Sequence, residues 1–109
     1  MNNYKVKITE QAEVQLREIL CYISNTLKEP DIAMSLFNEI QKNILSLDVM
    51  PKRIALIDEE PWRSYGIHRM TVKNFLIYFW VNEDLKEVHI TAVIYGKRDQ
   101  LKLLERIKF

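Results

Sequence analysis

Phe75-Leu76-Ile77-Tyr78-Phe79-Trp80-Val81 is an unbroken apolar run of strand length, rich in aromatic and β-branched side chains. A half-buried strand alternates apolar with polar residues, whereas a run without polar interruption suits a strand covered on both faces. This stretch therefore reads as the central strand of a sheet. Upstream, Tyr65–Val72 has a strand-like pattern, and Lys73-Asn74 reads as a turn between the two. Downstream, Asn82-Glu83-Asp84 supplies turn chemistry. Glu87–Tyr95 then alternates, which predicts Val88, Ile90, Ala92 and Ile94 on one face and His89, Thr91, Val93 and Tyr95 on the other. Three sequential strands joined by short turns form an antiparallel meander.

Working back to the start of the chain, Tyr4-Lys5-Val6-Lys7-Ile8 alternates with period two and reads as a further strand. Thr9 is a candidate N-cap, with Glu10 and Glu13 in the first turn where the helix dipole favours negative charge. Ala12, Leu16, Ile19, Leu20, Ile23 and Leu27 recur in steps of three and four, predicting a helix from Glu10 to Leu27. Lys28-Glu29-Pro30-Asp31 breaks it, and Pro30 suits the first turn of a second helix. Ala33, Leu36, Phe37, Ile40, Ile44 and Leu47 repeat the stripe until Pro51 stops it. So short a connection makes the two helices antiparallel. Met50–Trp62 reads as a loop, and Asp99 as the cap of a final helix bearing Leu103, Leu104 and Ile107. The predicted order is β-α-α-β-β-β-α: an α+β fold in which an antiparallel sheet packs against an N-terminal helical hairpin.

With 109 residues, 48% hydrophobic and 28% charged, the chain reads as one globular domain over residues 1–109. Its net charge of +1 conceals an asymmetry. Residues 1–48 carry five Lys/Arg against seven Asp/Glu, and residues 49–109 carry eleven against eight. An anionic partner for the second half is one explanation, and an ordinary solvated surface is the other. The lone Cys21 has no internal disulfide partner and sits in a helical apolar pattern, as a small hydrophobe in a reducing compartment would. No apolar run approaches the roughly 20 residues of a membrane helix, so a cytoplasmic location without membrane attachment is expected. The two glycines build neither a Walker nor a Rossmann loop, and His68 and His89 lack further ligands at zinc spacing. Neither a metal nor a cofactor is implied. The acidic run Asp58-Glu59-Glu60 reads as a solvated turn.

The chemistry-bearing residues cluster at strand ends. His68, Arg69 and Lys73 lie on or just after the first meander strand, and Lys97 and Arg98 leave the last one beside Tyr95. Arginine binds phosphate bidentately, and tyrosine offers a stacking face or a proton. Cleaving RNA through its own 2′-hydroxyl needs a base, cations for the developing charge and an acid for the leaving oxygen. His68 or a lysine is the candidate base, Arg69 and Arg98 the candidate cations, and Tyr95 the candidate acid. For target binding without chemistry the set is Arg69, Lys73, Lys97 and Arg98. The alternative is that basic residues at a sheet edge simply block strand-on-strand association.

The progression Gly66-x-x-Arg69, Lys73-Asn74-Phe75, Ile77-Tyr78-Phe79, Val88-x-Ile90 and Tyr95-Gly96-Lys97-Arg98-Asp99 resembles the RelE/ParE superfamily of bacterial type II toxins. The likeness spans Tyr4 to about Leu104 and implies a growth-arresting toxin that assembles with a cognate antitoxin. RelE-like members cut mRNA in the ribosomal A site without a metal, and ParE-like members poison DNA gyrase. Arg98 falls where RelE-like nucleases carry an arginine closing their last strand, and Arg69 near a basic position on their second strand. Those enzymes place another arginine where this chain has Leu76, and many carry a tyrosine close to the place of Leu104. Loss of one transition-state cation commonly costs about 100-fold in rate. The resemblance therefore leans to the ParE-like side, with a metal-independent mRNA endoribonuclease and a non-toxic antitoxin-binding module as the other readings.

Overall fold

The computed structural model describes residues 3–96. Strand β1 (Lys5–Ile8) leads into helix α1 (Glu10–Cys21). Thr9 caps α1 by accepting the Ala12 amide at 3.2 Å. One π-helical turn, Tyr22–Thr26, continues it, so the predicted single helix to Leu27 changes its winding after Cys21. Helix α2 (Pro30–Leu45) begins at its proline as expected, and short 3-10 turns at Ser46–Asp48 and Pro51–Arg53 follow. Strands β2 (His68–Val72), β3 (Phe75–Asn82) and β4 (Glu87–Tyr95) complete the described elements. The helix expected from Asp99 lies outside the described residues.

The sheet order is β1-β4-β3-β2. The meander is antiparallel as read from the sequence, and β1 joins it in parallel with β4, so the sheet is mixed. Phe75, Ile77 and Phe79 face the helices, where they pack with Ala12, Ile40 and Ile44. The intervening Leu76 and Tyr78 face the other way, against Ile57 and Ile67 of the segment before β2. Both faces of β3 are covered, which is why its sequence shows no polar interruption.

Strand β4 departs from the predicted alternation. Val88 and Ile90 lie on the helix face, yet so does Val93, while Ala92 and Ile94 lie on the opposite face. A bulge is the cause: Tyr78 aligns with Ala92 and Phe79 with Ile90, leaving Thr91 as the extra residue. Thr91 anchors the irregularity by donating its hydroxyl to the Tyr78 carbonyl at 3.2 Å. Beyond Ile90, β4 has also run past the end of β1. Buried backbone groups need partners there, and α1 supplies them. Gln11 and Thr9 donate to the Thr91 carbonyl at 2.7 and 3.3 Å, and the Gln15 amide oxygen accepts the Val93 N–H at 2.9 Å. The first two turns of α1 thus complete the hydrogen bonding that a longer β1 would have provided.

Candidate functional site

His68 opens β2 with its ring turned to the helix face, stacked on Phe79 at 5.0 Å between centroids. It is 8% exposed, and its Nδ1 donates to the Ile54 carbonyl at 2.7 Å. That bond fixes Nδ1 as the protonated nitrogen, because a carbonyl only accepts. The next residue, Arg69, points to the opposite face by the pleat of the strand. It stands across from Tyr78, whose hydroxyl feels the guanidinium. Burial pushes the Tyr78 hydroxyl above the usual tyrosine range, and the Arg69 contact opposes that rise.

Four residues further, roughly 13 Å along the strand, Lys73 and Asn74 form a two-residue hairpin turn. Their φ values are 50° and 70°. Left-handed backbone at both central positions gives the twist that a tight antiparallel hairpin needs. Lys73 is exposed at the tip. The end of β4 comes back to this turn: the Gly96 N–H donates to the Asn74 carbonyl at 2.6 Å. A Cβ on Gly96 would sit 2.8 Å from that oxygen, so glycine is what permits the approach. Tyr95 lies beside it, edge-on to Phe75 at 5.5 Å and packed on the helix-side core.

Lys73, Tyr95 and Gly96 are thus brought to one end of the sheet. His68 and Arg69 lie at the far end of β2, on opposite faces from each other. The candidate base His68 and the candidate acid Tyr95 share a face but stand at opposite ends, level with Phe79 and Phe75 respectively. Arg69, His68 and Tyr95 do not converge on one reacting centre. Lys97 and Arg98 lie outside the described residues. His89 stacks on Trp80 at 4.4 Å and bonds Glu87, away from these groups. In the acidic run, Glu60 accepts from the Ser64 amide and hydroxyl, both at 2.8 Å, which hold its carboxyl below the usual range. It tightens a turn. Among the described residues, no cluster of three or more His, Cys, Asp or Glu is placed to hold a metal ion.

A second feature lies on the helical hairpin. Between α1 and α2 runs an open groove of about 460 Å³ whose walls include Leu16, Leu20, Cys21, Ala33, Met34 and Phe37. Met34 is 61% exposed and Phe37 37%. The sequence placed Leu16 and Leu20 on the apolar stripe of the first helix and Phe37 on that of the second; Leu16 packs against the core as well as lining the groove. The available signal was the width of the first stripe, since Leu16 and Leu20 beside Ile19 and Ile23 span more of α1 than one contact with the sheet can cover. Among apolar side chains outside the core, Met34 lines the groove. Val14 is exposed outside its lining, and Trp62 packs on the far side of the sheet.

A family model described as the ParE toxin of the type II toxin–antitoxin system parDE matches residues 6–100 of the chain. Among solved structures, the fold is similar to a chain of the chromosomal ParDE toxin–antitoxin system from P. aeruginosa. The TM-score there is 0.70 at 21% identity, over 87% of this chain and 98% of that one. A chain of the RelBE2 toxin–antitoxin complex from Mycobacterium tuberculosis gives 0.61 at 16% identity, covering 85% and 98%. A mutant of the E. coli toxin RelE in its free state gives 0.61 at 12% identity, covering 97% and 99%. No curated protein matches the chain in sequence.

Proposed function

Because the chain belongs to the ParE toxin family of type II toxin–antitoxin systems, we propose that it arrests growth by binding a protein target, DNA gyrase, in the cytoplasm. The observation that carries the binding reading is the sheet face away from the helices. Leu76, Tyr78, Ala92 and Ile94 fill it, and Ile57 and Ile67 cover it. Arg69 at its margin is engaged with Tyr78. Buried apolar side chains stabilise no developing charge on phosphate, whereas cleavage requires preorganised donors aimed at that charge. His68, packed on Phe79 and bonded to Ile54, serves the core. Lys73, at one end of the sheet, and Arg69, together with Lys97 and Arg98, are the residues proposed to contact the target.

The partner is a cognate antitoxin, and its seat is the groove between α1 and α2. An amphipathic helix laying its apolar face into such a groove is a recurring mode of recognition. Met34 and Phe37 are the exposed anchors. Induced expression with two readouts tests the whole reading. A DNA-damage response with intact transcripts is the expected outcome; transcripts cut at codons on translating ribosomes would establish the endonuclease instead.

A further inference from the structure

We infer that the loop 58–66 is a further contact surface for the protein target, with the Tyr65 ring as its anchor; this rests on the target-binding reading above. The loop lies on the sheet face away from the helices. There Trp62 packs against Leu76, Tyr78, Ala92 and Ile94, with Ile57 and Ile67 flanking the loop. Arg69 points to the same face, and the charges of Arg69 and of Glu59 in the loop both act on the Tyr78 hydroxyl. The loop therefore borders a residue already assigned to the target. Its shape is fixed from within. The Ile57 N–H donates to the Ile67 carbonyl at 3.0 Å and closes the base. The Arg63 guanidinium donates to the Ile57 carbonyl at 3.2 Å, and Glu60 accepts the Ser64 amide and hydroxyl. The Tyr65 N–H is shared between the Pro61 and Trp62 carbonyls at 3.2 and 3.1 Å, and the Gly66 N–H donates to the Arg63 carbonyl at 3.0 Å. The backbone of Tyr65 is thus held while its side chain is 63% exposed. Trp62 is the aromatic that serves the fold; Tyr65 is left to the solvent. A braced loop presenting a tyrosine gives up little entropy on binding, and tyrosine is enriched among the residues that dominate protein interfaces. The sign of the loop selects the class of partner. Asp58, Glu59 and Glu60 against Arg63 give residues 58–66 a net charge of −2. Asp58 is fully exposed, and Glu60 is exposed as well. Such a loop repels nucleic acid and suits a protein surface where basic side chains surround an apolar pocket.

The test compares the full wild-type chain with Tyr65→Ala, Tyr65→Phe and Asp58→Lys. Three readouts are taken: supercoiling by purified DNA gyrase, growth arrest on expression, and thermal melting. Tyr65→Ala should weaken inhibition about ten-fold and relieve growth arrest. Its melting should match the wild type, because an exposed side chain contributes little to stability. Tyr65→Phe keeps the ring and should keep most of the inhibition. Asp58→Lys should weaken inhibition, by a margin that shrinks as salt is raised. A Tyr65→Ala chain as inhibitory and as toxic as the wild type would overturn the inference, and so would stronger inhibition by Asp58→Lys. Binding of a fluorescent DNA duplex by the wild-type chain, lost in Tyr65→Ala, would overturn the assignment to a protein. The two readings fail separately. A wild-type chain that spares gyrase, with growth arrest still relieved by Tyr65→Ala, would replace gyrase as the target and leave the loop in its role.

Discussion

At the scale of single residues, the two glycines do different work. Gly66 has φ of 80°, and a Cβ there would meet nothing within 4 Å. Gly96 lacks that backbone requirement and instead lets its chain pass within 2.8 Å of the Asn74 oxygen. Gly96→Ala forces the hairpin turn to shift and should cost about 1–3 kcal/mol by denaturant unfolding, the usual range for overpacking. Phe79 is fully buried under the His68 ring. Phe79→Ala should cost about 3–5 kcal/mol, and an unchanged melting transition would contradict its place in the core. Glu83 collects three partners: the Tyr4 hydroxyl and Lys52 from distant parts of the chain, and Lys86 three residues on. The hydrogen bond from Lys52, then those from Lys86 and Tyr4, lower its carboxyl from 4.5 to about 2. A carboxyl depressed in the folded state stabilises that state above its unfolded value, and the contribution disappears as pH falls from 4.5 toward 2. Glu83→Gln should flatten the acid limb of a stability–pH curve in that window and leave its neutral limb the same shape.

The elements show where sequence patterns succeed and where they go silent. β3 was legible because an uninterrupted apolar run has few other uses, and α2 because Pro30 starts its apolar stripe. The Thr91 bulge was not. With apolar residues on both faces of β4, a one-residue slip exchanges Ala92 and Ile94 for Val93 and Tyr95 without exposing anything. The amides that identify it, Gln11 and Gln15, look in the sequence like ordinary polar residues on the outer side of α1. Thr9 joins both features, capping α1 and donating to Thr91. Thr9→Ala should therefore cost at least the ~1 kcal/mol of a lost cap. Hydrogen exchange in that variant should quicken at Ala12 and Val93 together. Protection unchanged at Val93 would separate the cap from the bulge. Within the candidate site, the cations were visible as residue types. That His68 and Arg69 face opposite ways follows from the pleat, and that Arg69 is engaged with Tyr78 depended on contacts no spacing rule reveals.

For the molecule as a whole, the central strand β3 is covered on both faces and the groove between the helices stays open. Core and groove are thereby kept apart, so they separate by mutation. Met34→Glu alters an exposed wall of the groove. It should leave thermal stability within about 0.5 kcal/mol, as surface substitutions usually do. The variant should still arrest growth but resist rescue by a co-expressed antitoxin; full rescue would move the antitoxin seat elsewhere. Target binding is the central proposal. Its most direct test is supercoiling by purified DNA gyrase titrated with the purified chain. Inhibition with accumulation of cleaved DNA is the expected result. Undiminished supercoiling at a large excess of the chain would contradict it.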